Sequence, residues 1–437
     1  MTTAQILSPR WLIPVEPRLT TLVDHSVVIE KGRIAAVLPS GDARDRYPHA
    51  QERRMPNHLL IPGLVNLHTH SAMSLMRGLA DDTPLMTWLN DHVWPAEIKH
   101  LSDEYVFDGT EVSAAEMIRS GTTCFADMYF FHDAAARAAQ KAGMRAALGG
   151  AIIEFPTPYA ADADACIARC LAPRDAFAAD SRLKLMLAPH APYTVSDKTL
   201  ARILAISQEA DYPVVMHIHE TVGEFAQSEK DYGCRPIARL ERLGILGPNL
   251  IAVHCAHLND IEIELFARRG VHVAHCPTSN LKLASGIAPI NALLDAGVNV
   301  GVGTDGAASN NRLDMLAETR LATLLQKGVS GDAAALPAHQ ALEMATLNGA
   351  KALGWDEEIG SIVAGKAADL TAIDLSSIET QPVYDPVSHL FHAAGREHVT
   401  HVWVDGELLM DNRTLTRLDI DELKAKAALW QQRFAEH

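Results

Sequence analysis

With 437 residues, the chain has the length of a large barrel plus an accessory domain. Its 48% apolar and 21% charged residues are ordinary for a globular protein, and no stretch reaches the roughly 18 uncharged apolar residues of a membrane-spanning helix. The 38 basic and 54 acidic residues give a net charge of −16, and there is no basic run, so the chain is unsuited to nucleic acid, whose phosphates need a positive surface.

Met1–Val15 lacks a charged segment followed by an apolar one, so no secretory signal is expected. The first 57 residues read as β, with a hairpin over Ser26–Val37 turning at Lys31-Gly32. Apolar strand runs then alternate with helical patterns. The strand runs are Leu60–Leu67, Thr122–Met128, Ala146–Ile153, Leu183–Ala188, Val214–Ile218, Leu250–His254, Val271–His275 and Asn299–Gly303. The helices between them include Asp103–Ser120, His132–Ala142, Asp197–Ala210 and Asp260–Arg269. Eight such strands predict a parallel (β/α)8 TIM barrel over 58–357; an open doubly wound sheet would carry a G-x-G-x-x-G turn, and none is present. Further strands follow at Ala368–Asp374 and His401–Leu409, and a tail helix at Asp419–Phe434. Segments 1–57 and 358–437 are therefore expected to build one small β-sandwich domain with a C-terminal tail helix. The six cysteines (Cys124, Cys166, Cys170, Cys234, Cys255 and Cys276) form no C-x-x-C pair and read as reduced thiols of a cytoplasmic protein.

The strand ends carry the chemistry. In a barrel they all face one mouth. His68 and His70 close the first run, two residues apart and so on one face of a strand. His190 follows the fourth run, His217, His219 and Glu220 the fifth, His254 and His257 the sixth, His275 the seventh and Asp305 the eighth. Any one of them alone reads as a hydrogen-bonded residue near a strand end; the repetition points to convergence. Three imidazoles and a carboxylate, His68, His70, His217 and Asp305, suit a borderline metal such as zinc. No lysine ends the fourth run to bridge a second ion, Lys184 lying at its start, so one metal is expected. The remaining groups fit hydrolysis. A metal can activate water, Asp305 and His254 can accept its proton, and Glu220 can carry a proton to a ring nitrogen.

These blocks resemble the amidohydrolase superfamily, in its branch acting on nucleobase-like rings. The likeness rests on Leu60–His70, Gly121-Thr122-Thr123, His217–Thr221, His254–Leu258, His275–Asn280, Thr304-Asp305-Gly306, Gly349–Gly354 and Gly365–Leu370. Trp88–Glu97 narrows it to the 5-methylthioadenosine/S-adenosylhomocysteine deaminases. That resemblance implies a hydrolase converting an adenine nucleoside thioether, or adenosine, to its inosine analogue and ammonia. It implies one zinc ion per chain, with iron or manganese able to take the same ligands, and a homo-oligomer with no membrane partner. It further implies that Glu97 holds the ribose diol and that His190 contacts substrate. Trp88 would pack on the ring or the thioether end, or belong to the core. Family members often have an arginine in the region of Gly149-Gly150 that meets the homocysteine carboxylate. Without it, S-adenosylhomocysteine would need another cation, Arg169 or Arg174, whereas the methylthio substrate needs none. Alternatives on the same scaffold are a guanine or 8-oxoguanine deaminase and an s-triazine hydrolase; one of another class is an inactive metal-binding relative.

Overall fold

The computed structural model describes residues 4–435. Eight parallel strands make the central barrel. They are β1 (Leu64–Thr69), β2 (Thr122–Tyr129), β3 (Arg145–Ile152), β4 (Leu183–Leu185, resumed at Ala188–Pro189), β5 (Val214–Ile218), β6 (Leu250–His254), β7 (His272–His275) and β8 (Asn299–Val302). Two runs of ladder, β1 to β4 and β5 to β8, are joined where Val215 N–H donates to Leu187 O at 2.9 Å. The ring closes where Asp305 N–H donates to His68 O at 2.9 Å. That last bond sets the end of β8 directly against the end of β1, which brings Asp305 to the histidines. Helices start where side chains satisfy the first free N–H groups: Ser102 caps Asp103–Arg119, Ser196 caps Asp197–Ala210, and Asn259 with Glu262 forms a capping box on Asp260–Arg269.

The apolar run Leu60–Leu67 is not one strand. Residues up to Pro62 end a long strand, Gln51–Pro62, of a second sheet, and β1 begins only at Leu64. Gly63 is the joint: a side chain there would meet the Thr123 hydroxyl at 2.0 Å. The run reads as continuous because both halves are buried.

The second sheet is mixed and nine-stranded, built from both chain ends. Its centre is the parallel pair Gln5–Leu12 with Gln51–Pro62, and Leu370–Asp374 joins the latter antiparallel. The sheet doubles over on itself. The turn at Gly406 packs against Gly32, where an added Cβ would meet the Gly32 Cα at 3.0 Å, although their hairpins lie at opposite ends of the strand order. Leu7, Val27, Ile34, Leu60, Leu370 and Trp403 fill the space between. Arg145, at the start of β3, is buried and donates to Asp369 at 3.1 Å and Asp405 at 2.8 Å, tying this unit to the barrel's lower end. The tail helix, Ile420–Ala435, docks on barrel helix Asp103–Arg119, where Trp430 Nε1 donates to Asp108 at 3.0 Å. Among the described residues no helix is long and apolar enough to cross a membrane.

Candidate active site

The ends of β1, β5 and β8 bring four donors together. His68 Nε2 lies 3.2 Å from His217 Nε2 and 3.4 Å from Asp305 Oδ1, and His70 Nε2 lies 3.2 Å from the same carboxylate oxygen. The hydrogen bonds behind the rings fix what points inward. Nδ1–H of His70 donates to Met128 O at 2.6 Å, and Nδ1–H of His217 to His190 O at 2.8 Å. Nε2 of each ring therefore faces the centre, where a neutral ring offers a lone pair; burial would lower His70, yet the adjacent Asp305 carboxylate raises it to about 9, so this ring gives up a proton when it takes a metal. Lone pairs and a carboxylate crowded at this spacing repel unless a proton or a metal ion sits among them. The donor set thus fits a metal, and its three nitrogens and one oxygen suit zinc.

Titration follows the same logic. Burial pushes His68 down to about 4 and His217 well below the usual imidazole range, so both are ready to bind metal as neutral rings. Burial would raise Asp305, yet hydrogen bonds from His68 and His70 outweigh it and hold the carboxyl well below its ordinary value. Ser279 Oγ and Ser309 Oγ donate to its second oxygen at 2.6 and 2.7 Å, and Gly306 N–H donates to its first at 2.8 Å.

Glu220 and His254 stand beside this cluster. His254 Nε2 is 3.7 Å from Glu220 Oε2, and Nδ1–H of His254 donates to Asn280 Oδ1 at 2.9 Å. His254 also falls with His68 and His217 in a second, overlapping group of potential metal donors. Burial raises the Glu220 carboxyl above its ordinary range, and the nearby Asp305 adds to the rise. Its backbone is clamped by Glu224, which accepts N–H bonds from His219, Glu220 and Thr221 at 2.8–3.1 Å. His254 and Asp305 have φ of 71° and 62°, left-handed values rare outside glycine that turn the chain sharply at the strand ends.

These groups open into a cavity of about 370 Å³. Trp88, Leu89, Val93 and Trp94 make one apolar wall, carried by a helical stretch, Leu85–His100, with a π-helical turn at Trp88–Val93, and Leu101 just past its end adds to it. Trp88, Glu97 and His190 all line the cavity with His70, His217, Glu220, His254 and Asp305; His68 lies behind them, fully buried. Burial raises the Glu97 carboxyl to about 7. No lysine or arginine is among the described residues lining the cavity. A side chain at Gly149 would meet the Ala188 methyl at 2.8 Å, and one at Gly150 the Tyr159 hydroxyl at 2.8 Å, so this strand has no room for a long cation. Arg169 stacks over Tyr159, 5.1 Å from its ring centre, and Arg174 is exposed beside Asp175.

Three strand-end histidines do not join the site. His219 packs on Phe225 with ring centres 4.7 Å apart, His257 Nε2–H donates to Ser285 O at 2.5 Å, and His275 is buried away from the cavity. Sequence reasoning also missed Tyr129, Asn280, Ser279 and Ser309. Of these, Asn280 and Ser279 lie inside the His275–Asn280 block and so had a signal. Tyr129 and Ser309 stand in no motif.

Comparison with known proteins agrees with this geometry. Residues 59–409 match the model of the "Amidohydrolase family". A 5-methylthioadenosine/S-adenosylhomocysteine deaminase of Teredinibacter turnerae is 46% identical over 98% of this chain and 97% of its own length. One from Saccharophagus degradans is 44% identical over 98% and 96%. A crystal structure of an adenosine deaminase from Xanthomonas campestris with bound zinc superimposes with a TM-score of 0.98 at 47% identity, covering 100% of this chain and 99% of that one.

Proposed function

Since the chain belongs to the amidohydrolase family, within its 5-methylthioadenosine/S-adenosylhomocysteine deaminases, we propose that it hydrolyses the exocyclic amine of an adenine nucleoside thioether, with 5-methylthioadenosine as the preferred substrate. The products are the inosine analogue and ammonia. The observation that supports this best is the joining of a four-donor cluster, Glu220 and His254 with Glu97 in one largely apolar cavity.

His68, His70, His217 and Asp305 would hold one zinc ion. When bound, such an ion supplies a Lewis acid that makes water acidic enough to attack near neutral pH. In this reading Glu220 gives a proton to a ring nitrogen, which makes the amine-bearing carbon electrophilic. Asp305 and His254 orient the attacking water and take its proton. A second protonation lets the amine leave as ammonia. Glu97 accepts hydrogen bonds from the two ribose hydroxyls, which a carboxylate can do side by side. The apolar wall with Trp88 receives the methylthio end, and His190 contacts the substrate. With no lysine or arginine among the described residues lining the cavity, no side-chain cation there pairs with a homocysteine carboxylate.

Ammonia release from methylthioadenosine, S-adenosylhomocysteine, adenosine, guanine and a chlorotriazine tests the assignment. Methylthioadenosine should give the highest kcat/KM. Glu97→Ala should lower that value by about 10- to 150-fold, the cost of losing a charged hydrogen-bonding partner, and should leave free bases and the 2′,3′-dideoxy analogue nearly unaffected. Guanine as the best substrate would refute the nucleoside assignment. Equal efficiency for the two thioethers would refute the ranking alone.

A further inference from the structure

Glu97 is not free to turn. The Tyr129 hydroxyl donates to its Oε1 at 2.5 Å, and both side chains are buried. Tyr129 is the last residue of β2, so the phenol is held by the barrel itself, whereas Glu97 rides on the Leu85–His100 helical stretch outside it. The bond therefore joins a rigid strand to the segment that forms the cavity wall. The other cavity-lining residues nearby in the same stretch, Trp88, Leu89, Val93 and Trp94, are apolar. A carboxylate in apolar surroundings needs a fixed donor to stay ionised and in one orientation.

The arrangement is braced from behind. Tyr105 packs against Tyr129, with ring centres 6.5 Å apart, and against Trp430 of the tail helix at 5.2 Å. Phe434 of the same helix lies 4.5 Å from the His100 ring, at the end of the segment that carries Glu97. One helix thus supports both partners of the hydrogen bond.

We propose that Tyr129 is a specificity-determining positioning residue, which sets the Glu97 carboxylate in the plane that accepts a ribose diol. By using one lone pair of Oε1, the phenol leaves Oε2 and the rest of Oε1 to face the cavity, the side-by-side pair that adjacent hydroxyls require. Tyr129, whose side chain also lines the cavity, acts in this role through Glu97. The inference rests on the reading of Glu97 as the ribose contact.

Tyr129→Phe keeps the ring and its packing and removes the hydroxyl alone. With methylthioadenosine, the variant should show a KM raised about tenfold, the scale of a lost hydrogen bond to a charged group, with kcat within about twofold of the parent and the metal content unchanged. The 2′,3′-dideoxy analogue should show less than a twofold change in KM. In a Glu97→Gln background, adding Tyr129→Phe should cost less than twofold further, because the two residues act through one contact. An unchanged KM for methylthioadenosine would overturn the proposal. So would an equal loss for both substrates, which would mark a packing role. If Glu97→Ala itself fails to separate the nucleoside from its dideoxy analogue, the ribose reading of Glu97 falls and this proposal with it. If Glu97→Ala separates them and Tyr129→Phe does not, only the role of Tyr129 falls.

Discussion

Replacing Glu220 with Gln is expected to lower kcat by about 10²–10⁴-fold with the metal still bound, the usual range for losing a general acid–base group. The substitution keeps the size of the side chain and its hydrogen bond with Ser285, 3.5 Å away. It removes only the ability to carry a proton. The surroundings suit a proton carrier, since the group is buried, its carboxyl is raised by that burial, and His254 Nε2 is 3.7 Å away to exchange protons. Glu220 does not cap the following helix, Gly223–Tyr232, whose N-cap position is Val222 and which has no side-chain cap hydrogen bond. Turnover near the parent value, with metal content confirmed by elemental analysis, would return Glu220 to a structural role.

His68→Ala should abolish both metal binding and activity. His68 stands at the centre of the donor cluster, within 3.4 Å of both His217 Nε2 and Asp305 Oδ1, and is fully buried. Its loss leaves a hole at the centre and the remaining donors without a common point. An incomplete ligand set costs most of the affinity for the ion. Elemental analysis should find less than about a tenth of the parent's metal, and added zinc should not restore ammonia release. A variant that keeps its full complement would remove His68 from the ligand set and leave the overlapping group with His254 as the alternative.

The convergence of His68 and His70 on one point was legible in the sequence because strand periodicity governs it. His68 is the penultimate residue of β1 and His70 directly follows the strand, so the two-residue repeat carries both rings to one side, with centres 4.8 Å apart. His217 and His219 have the same spacing, yet only the first reaches the site. The strand stops at Ile218, and His219 turns left-handed at φ 52°, which swings its ring onto Phe225. A motif cannot show that turn. The barrel order was legible because each strand is a short apolar run and helical patterns separate one run from the next. The joint at Gly63 was hidden, because burial on both sides makes Leu59–Leu67 apolar throughout except for Asn66. The contact of Tyr129 with Glu97 depends on how the Leu85–His100 stretch packs over the mouth, and that of Ser309 with Asp305 on the loop after β8, and no local pattern encodes either. The glycine pair Gly149-Gly150 was visible, but only the packing of Ala188 and Tyr159 against it explains why no cation stands there.

A one-metal nucleoside deaminase is tested most directly by a zinc titration of chelator-stripped protein, followed by ammonia release from methylthioadenosine. Activity should be absent at first, rise linearly with added zinc, and stop rising at about one equivalent per chain, the capacity of a single closed donor set. Full activity in the stripped protein, a break at about two equivalents, or no ammonia at any zinc content would contradict it.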